Sequence, residues 1–254
     1  MKVVILAGGL PSKLIEEDEK IPKPMAEIGG RPILWHIMKQ YAWYGYNDFI
    51  ICGGYKVDML KEYFMNFYIY QSDITVDLQS NDILIHRKQT EEWKVTIVDT
   101  GFESSIPQRL IGIHDYLDND DFIVSYGDCV SDINVEDMIE FHKKNNKIAT
   151  IAVAKPTGRN QILPIRGEKF SSNEIEKNDS WVNACNMIFN QRIFQYIRDN
   201  MLFENEMFKS ILKEDISIPY IHKGFWSPME TVRDKLYLQA LWDKNKAPWK
   251  VWTD

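Results

Sequence analysis

Residues 2–14 read KVVILAGGLPSKL. Residues 2–7 form a near-continuous apolar run, as expected of a strand covered on both faces in a parallel sheet. Leu6 and Ala7 end it, and Gly8 and Gly9 follow at once. Bare backbone N–H groups at that end of a strand can meet a phosphate or a base edge. An ordinary tight βα turn carries the same signature. Neither G-x-G-x-x-G nor G-x-x-x-x-G-K-[ST] is satisfied. Pro11 gives up one N–H of the loop, while Lys13 and, further on, Lys23 add positive charge.

Working outward, RPILWHIMKQYAWYG (31–45) has apolar residues at three- and four-residue spacing, Pro32 at its start and Gly45 at its end, which predicts a helix. DFIICGG (48–54) reads as a second buried strand and KVDMLKEYF (56–64) as a second amphipathic helix. This βαβα start argues for an α/β fold with a mainly parallel sheet. Residues 70–98 alternate between apolar and polar and contain the turn signal SND. They read as antiparallel strands inserted into or beside the main sheet. A helix over 107–116, the strand DFIVSYGD (121–128), a helix over 135–145 capped by Asp132 or Asn134, and the strand IATIAVA (148–154) follow. Residues 155–190 read as short polar strands and turns. Helices over 191–198 and 204–213, the strand ISIPYI (216–221) and a last helix over 231–243 complete the chain. That last helix carries the stripe Leu236, Leu238, Leu241 and Trp242. The tail KAPWKVWTD (246–254) has two Trp residues, which either dock on the core or form an oligomer contact. With no Pro/Gly/Ser-rich linker and no repeat, 1–254 reads as a single domain.

Composition narrows the partners. The chain has 254 residues, 44% apolar and 26% charged, with net charge −7 and no Lys/Arg-rich run, which argues against nucleic acid. A nucleotide needs only a few local cations. Cys52, Cys129 and Cys185 have neither zinc-ligand nor redox spacing and read as free thiols of a cytoplasmic protein. No stretch is long enough to span a membrane.

Two further segments carry chemistry. In SYGDCVSD (125–132), Asp128 ends a buried strand at the edge where α/β folds bind ligands. A single carboxylate there suits Mg²⁺, which takes one or two carboxylates plus substrate phosphates; a turn would also use an Asp. In GFWSPMETVRDK (224–235), Glu230 is either a second carboxylate on that metal or an acidic residue favoured by the dipole of the next helix.

Read together, MKVVILAGGLPSKL, IPKPMAEIGGRPILWHIM, VTIVDTGFESSIPQRL, YGDCVSD, EKNDSWVNACNM, GFWSPMETVRDK and KAPWK resemble, in order and over essentially the whole chain, the glucose-1-phosphate cytidylyltransferases. These are a branch of the sugar-nucleotide pyrophosphorylases. The resemblance implies a Rossmann-like nucleotidyltransferase fold and transfer of CMP from CTP to a phosphorylated acceptor, helped by Mg²⁺. It implies that Leu6, Ala7, Gly8, Gly9, Leu10, Ser12, Lys13, Lys23, Arg109 and Asp128 bind the nucleotide. Asp128 and Glu230 would hold Mg²⁺, and Lys177 the acceptor phosphate. Lys13, Lys23, Asp128 and Lys177 would be the catalytic set. It implies a homo-oligomer, with the strands of 70–98 and the Trp-rich tail as candidate contacts.

The departures from the family pattern are informative. GTR has become Pro11-Ser12-Lys13, a point charge in place of a guanidinium fork. TGGR has become Ile106-Pro107-Gln108-Arg109, and PMD has become PME, one methylene longer. GRFGAL has become Gly158-Arg159-Asn160-Gln161-Ile162-Leu163, and NGGF has become Asn183-Ala184-Cys185-Asn186. The last two fall where the family builds its sugar pocket. Arg159, Asn160, Gln161, Asn183 and Asn186 therefore read as acceptor-binding side chains suited to an amide-bearing, non-hexose acceptor. Within the family the chain looks like the branch that uses L-glutamine phosphate and makes CDP-L-glutamine in capsule phosphoramidate synthesis. Glucose 1-phosphate is the alternative acceptor, and a non-catalytic nucleotide-binding paralogue is the alternative of another class.

Overall fold

A computed structural model describes residues 1–9, 21–86, 90–156, 162–163, 165–166, 169–170, 181–201, 204–213 and 215–253. Strand β1 is Val3–Leu6, helix α1 Ile33–Trp43, β2 Asp48–Gly53 and α2 Val57–Met65. A hairpin of β3 (Ile74–Asp77) and β4 (Asp82–Ile85) precedes β5 (Lys94–Asp99) and α3 (Ile106–Gly112). Then come β6 (Phe122–Tyr126), β7 (Cys129–Ser131), α4 (Val135–Asn145), β8 (Ala149–Ala154) and β9 (Trp181–Phe189). Helix α5 (Glu204–Lys213), β10 (Ser217–Ile221), β11 (Trp226–Pro228) and α6 (Val232–Asp243) finish the order.

The main sheet runs β10-β8-β9-β6-β1-β2-β5. β1 pairs in parallel with β2 on one side and β6 on the other, and β2 in parallel with β5. β9 is antiparallel to both β8 and β6, while β8 is parallel to β10. The sheet is thus mixed and mainly parallel, as expected. β1 is wholly buried because both of its faces are covered, by the core around α1 on one side and by that around α3 and α5 on the other.

Two expectations need correction, and one pair of alternatives is decided. Of the 70–98 region, only β3 and β4 form an antiparallel hairpin; β5 is a parallel edge strand. Its alternation reflects half-exposure at the sheet edge rather than antiparallel pairing. The polar stretch before residue 190 contains the nine-residue strand β9. Its periodicity is broken by Cys185, whose φ of +65° lies in the left-handed region beside a register shift against β8. Helix α4 is capped by Asn134, whose side chain accepts from the backbone N–H groups of Glu136 and Asp137, and not by Asp132.

The tail docks on the core. Trp249 is fully buried and Trp252 nearly so. They surround His36 together with Trp35 and Trp242, and Trp249 Nε1 points at His36 Nδ1 from 3.4 Å. These tryptophans are therefore core and not an oligomer contact. In the expected stripe of α6, Leu238 is buried but Leu236 faces solvent. The three cysteines are free thiols.

Candidate active site

The C-terminal ends of β1, β2, β5 and β6 lie side by side, the edge at which open α/β sheets receive ligands. β1 passes directly into Ala7, Gly8 and Gly9. Ala7 N donates to Cys52 O (3.0 Å) and Gly127 N donates to Leu6 O (2.9 Å), so the loop leaves a clamped strand end.

Arg109 braces this edge. It is 4% exposed. Its Nη2 donates to Gly8 O (2.5 Å) and Phe102 O (3.3 Å), and its Nη1 to Thr100 Oγ1 (2.7 Å), Gly101 O (2.9 Å) and Gly53 O (3.1 Å). One guanidinium thus ties together the loops after β1, β2 and β5. A Cβ on Gly8 would sit 1.9 Å from Arg109 Nη1, and one on Gly54 would sit 2.8 Å from Gly8 O, so both positions require glycine. A Cβ on Gly9 would meet nothing within 4 Å; that residue opens toward the cleft. The fork geometry of guanidinium makes this bracing possible.

Leu6, Ala7, Gly8, Gly9, Lys23, Arg109 and Asp128, all expected to bind nucleotide, line one cleft of about 510 Å³. Sequence reasoning missed its far wall, Phe102 to Ile106. That wall is built by a tight turn: Gly101 has φ +93°, Gly101 N donates to Asp99 Oδ1 (3.0 Å), and Ser104 Oγ donates to Thr100 O (2.5 Å). Where the family pattern has two glycines, this chain starts a helix. Ser105 and Gln108 form a capping box on α3, and Pro107 sits in its first turn. The sequence S-I-P-Q held that signal.

Asp128 follows β6, and Lys23 lies on a 3₁₀ turn over residues 23–25. Lys23 Nζ is 3.6 Å from Asp128 Oδ2, with each side chain about a quarter exposed (28% and 24%). Burial pushes the Asp128 carboxyl above its usual range; the Lys23 ammonium opposes this and the Glu230 carboxylate adds to it. β11 pairs antiparallel with β7, setting Pro228 opposite Cys129, and Met229 N donates to Asp128 O (2.7 Å). Glu230 is the next residue, ahead of the Thr231–Asp234 capping box of α6. The two carboxylates expected to share a metal are therefore brought together by one short ladder.

Glu230 also lines a second, larger cleft of about 960 Å³, walled by Trp181, Phe225, Trp226 and Tyr237 and carrying Lys155 and His222. Lys155 Nζ lies 4.1 Å from the Trp181 ring centroid, and Trp226 Nε1 donates to Lys155 O (3.1 Å). His222 Nε2 is 3.0 Å from Asp132 Oδ1, which accepts from Phe225 N (2.7 Å). Asp132 thus holds the GFW segment.

Two expected acceptor residues are spent inside the protein. Asn186 is buried; its Oδ1 accepts from Tyr41 Oη and its Nδ2 donates to Ala184 O (2.9 Å) and Ser131 Oγ (3.4 Å). Asn183 donates to Tyr126 Oη (3.3 Å) and accepts from Cys185 N (2.9 Å). Leu10, Ser12, Lys13, Arg159, Asn160, Gln161 and Lys177 lie outside the described residues. Among the described residues no group of three or more His, Cys, Asp or Glu side chains could hold a metal, and no helix is long and apolar enough to cross a membrane.

The family model for nucleotidyl transferases matches residues 2–161. The glucose-1-phosphate cytidylyltransferase of Salmonella typhimurium is 44% identical over 256 residues, covering 99% of this chain and 100% of that protein. A probable glucose-1-phosphate cytidylyltransferase of Bacillus subtilis is 33% identical, covering 99% and 100%. Among solved structures, HddC of Yersinia pseudotuberculosis with GMP-PN superposes with a TM-score of 0.71 at 20% identity, covering 95% of this chain and 99% of that one. The inositol-1-phosphate CTP transferase of T. maritima gives 0.71 at 10% identity, covering 100% and 98%. These two share the fold.

Proposed function

The chain is an enzyme and belongs to the nucleotidyl transferase family, and from that premise we propose that it transfers CMP from CTP to a phosphorylated acceptor, with Mg²⁺. An acceptor phosphate oxygen attacks the α-phosphorus in line, the bond to the β-phosphate oxygen breaks, and pyrophosphate leaves. The observation that carries this reading is that Asp128 lines one cleft and Glu230 the other, while Met229 N, beside Glu230, donates to Asp128 O. One cleft offers backbone N–H groups and Lys23 to a triphosphate; the other offers an aromatic enclosure to an acceptor.

The donor set fits Mg²⁺. Two hard carboxylates, of which Asp128 is raised chiefly by burial and further by the Glu230 charge, would gain from a cation held by both, with phosphate oxygens completing the shell. The ion, when bound, neutralises triphosphate charge. Gly8 and Gly9 position the nucleotide, Arg109 holds their loop in place, and Lys23 sets the charge beside the phosphates. This is positioning and electrostatics with no covalent intermediate on the protein.

For the acceptor, glucose 1-phosphate has the most support, because the relatives bearing that name match from end to end. The amide argument for L-glutamine phosphate is weakened by Asn183 and Asn186, whose amides are already paired. One observation keeps the second reading: Cys185 holds a left-handed φ where the family pattern has glycine, so side-chain bulk has entered the acceptor strand. Pyrophosphate release with CTP and Mg²⁺ against both acceptors decides. Turnover with glucose 1-phosphate supports the first reading; turnover with L-glutamine phosphate alone supports the second; turnover with neither refutes both.

For assembly, the β3–β4 hairpin is the candidate contact, since Val76, Leu78, Ile83 and Leu84 are exposed on it. Light scattering of wild type against Leu78→Asp tests this; an unchanged mass refutes it.

A further inference from the structure

The cleft over β1 has two ends of unlike chemistry. Asp128 follows β6 and Phe102 follows β5, strands on opposite sides of β1 in the order β6-β1-β2-β5. Lys23 and Asp128 make the first end ionic. At the other end the Ser104 and Ser105 hydroxyls donate away, to Thr100 O and Met201 O, and Glu103 would repel phosphate. Phe102 lines the cleft on this wall and is 46% exposed.

That ring is not a stray surface apolar group. Its backbone carbonyl is held by Arg109 Nη2, and Gly101 and Ser104 fix the turn on which it stands. Tyr55 props it, with ring centroids 5.8 Å apart and planes inclined by 49°. A fixed aromatic face at the end of a phosphate-binding cleft suits a flat π-system, and bases stack on such faces. We infer that Phe102, propped by Tyr55, is the stacking platform for the base of the bound nucleotide. This rests on the reading above that the cleft holds a nucleoside triphosphate. A π-face is sequence-tolerant, so the platform adds affinity for any base, and discrimination between bases comes from hydrogen-bonding groups elsewhere.

The test is calorimetric titration of the full chain with Mg²⁺ and no acceptor, using CTP, UTP, GTP, ATP and tripolyphosphate. Phe102→Ala is expected to weaken nucleotide binding roughly five- to hundredfold. Tripolyphosphate affinity should not change, and Phe102→Trp should restore nucleotide affinity. The inference is overturned if Phe102→Ala leaves nucleotide affinity within twofold of wild type. It is equally overturned if tripolyphosphate weakens in parallel, for then the residue acts only through the loop that Arg109 holds, or if wild type binds no nucleotide. Aromatic-dependent binding of a purine nucleotide in place of CTP would support the platform while refuting the cytidylyl reading.

Discussion

Arg109→Lys separates direct nucleotide contact from bracing of the loops. The guanidinium reaches five acceptors, four of them backbone carbonyls. An ammonium has three N–H donors, so at least two of these hydrogen bonds are lost. Each hydrogen bond to a charged group contributes about 1.5–3 kcal/mol, and a buried acceptor left unpaired costs a similar amount. The loss is therefore about 3–6 kcal/mol, within the usual 5–15 kcal/mol stability of a domain, so the variant folds but is much weakened. Urea denaturation of the ligand-free protein measures this loss, and thermal unfolding should show Tm lower by roughly 6–24 °C. CTP titration below that transition should also show weakened binding, because Gly8 loses its hold. If Arg109→Lys keeps wild-type stability without ligand and loses only CTP affinity, the bracing argument is refuted and Arg109 acts on the nucleotide alone.

Further outcomes follow from other parts of the molecule. Asp128→Asn should abolish turnover; because the folded carboxyl is raised, it should also raise Tm at pH 7, a gain that shrinks as pH falls toward the usual value of 3.8. Wild-type turnover refutes the assignment. Burial holds His36 down at about 4 from 6.5, so its neutral burial stabilises the fold above pH 6.5 and loses that contribution as pH falls to about 4. His142 is lowered in the same sense, so His36→Asn should flatten only part of the acid slope seen by urea denaturation. Trp249→Ala should lose about 3–5 kcal/mol in the same assay; a loss under 1 kcal/mol refutes its place in the core. Cys185→Gly should gain up to about 1 kcal/mol, the relief of a left-handed φ less the added chain entropy.

The fold was legible where burial imposes a clear period: VVIL, FIICG and ATIAVA are buried strands, and α4 begins and ends where its pattern does. β9 was illegible because Asn183, Cys185 and Asn186 satisfy each other and their neighbours in the interior, which no pattern of apolar spacing reveals. At the site, the nucleotide-side residues were legible from the strand–Gly-Gly junction and the acid after β6. The meaning of Arg109 was not. Its five acceptors come from residues 8, 53, 100, 101 and 102, brought together only by the parallel order of β1, β2 and β5.

The cage around His36 sets an order in time. Helix α1 lies early in the chain, yet the indoles that enclose its imidazole come from residues 242, 249 and 252, as well as from residue 35. During synthesis the first 50 residues emerge long before Trp249 exists. Until the ribosome releases the tail, α1 has an unsealed imidazole and an open apolar seam. A chain stalled short of residue 249 would hold the strand–Gly-Gly junction and both carboxylates, and still lack the wall that keeps α1 in place.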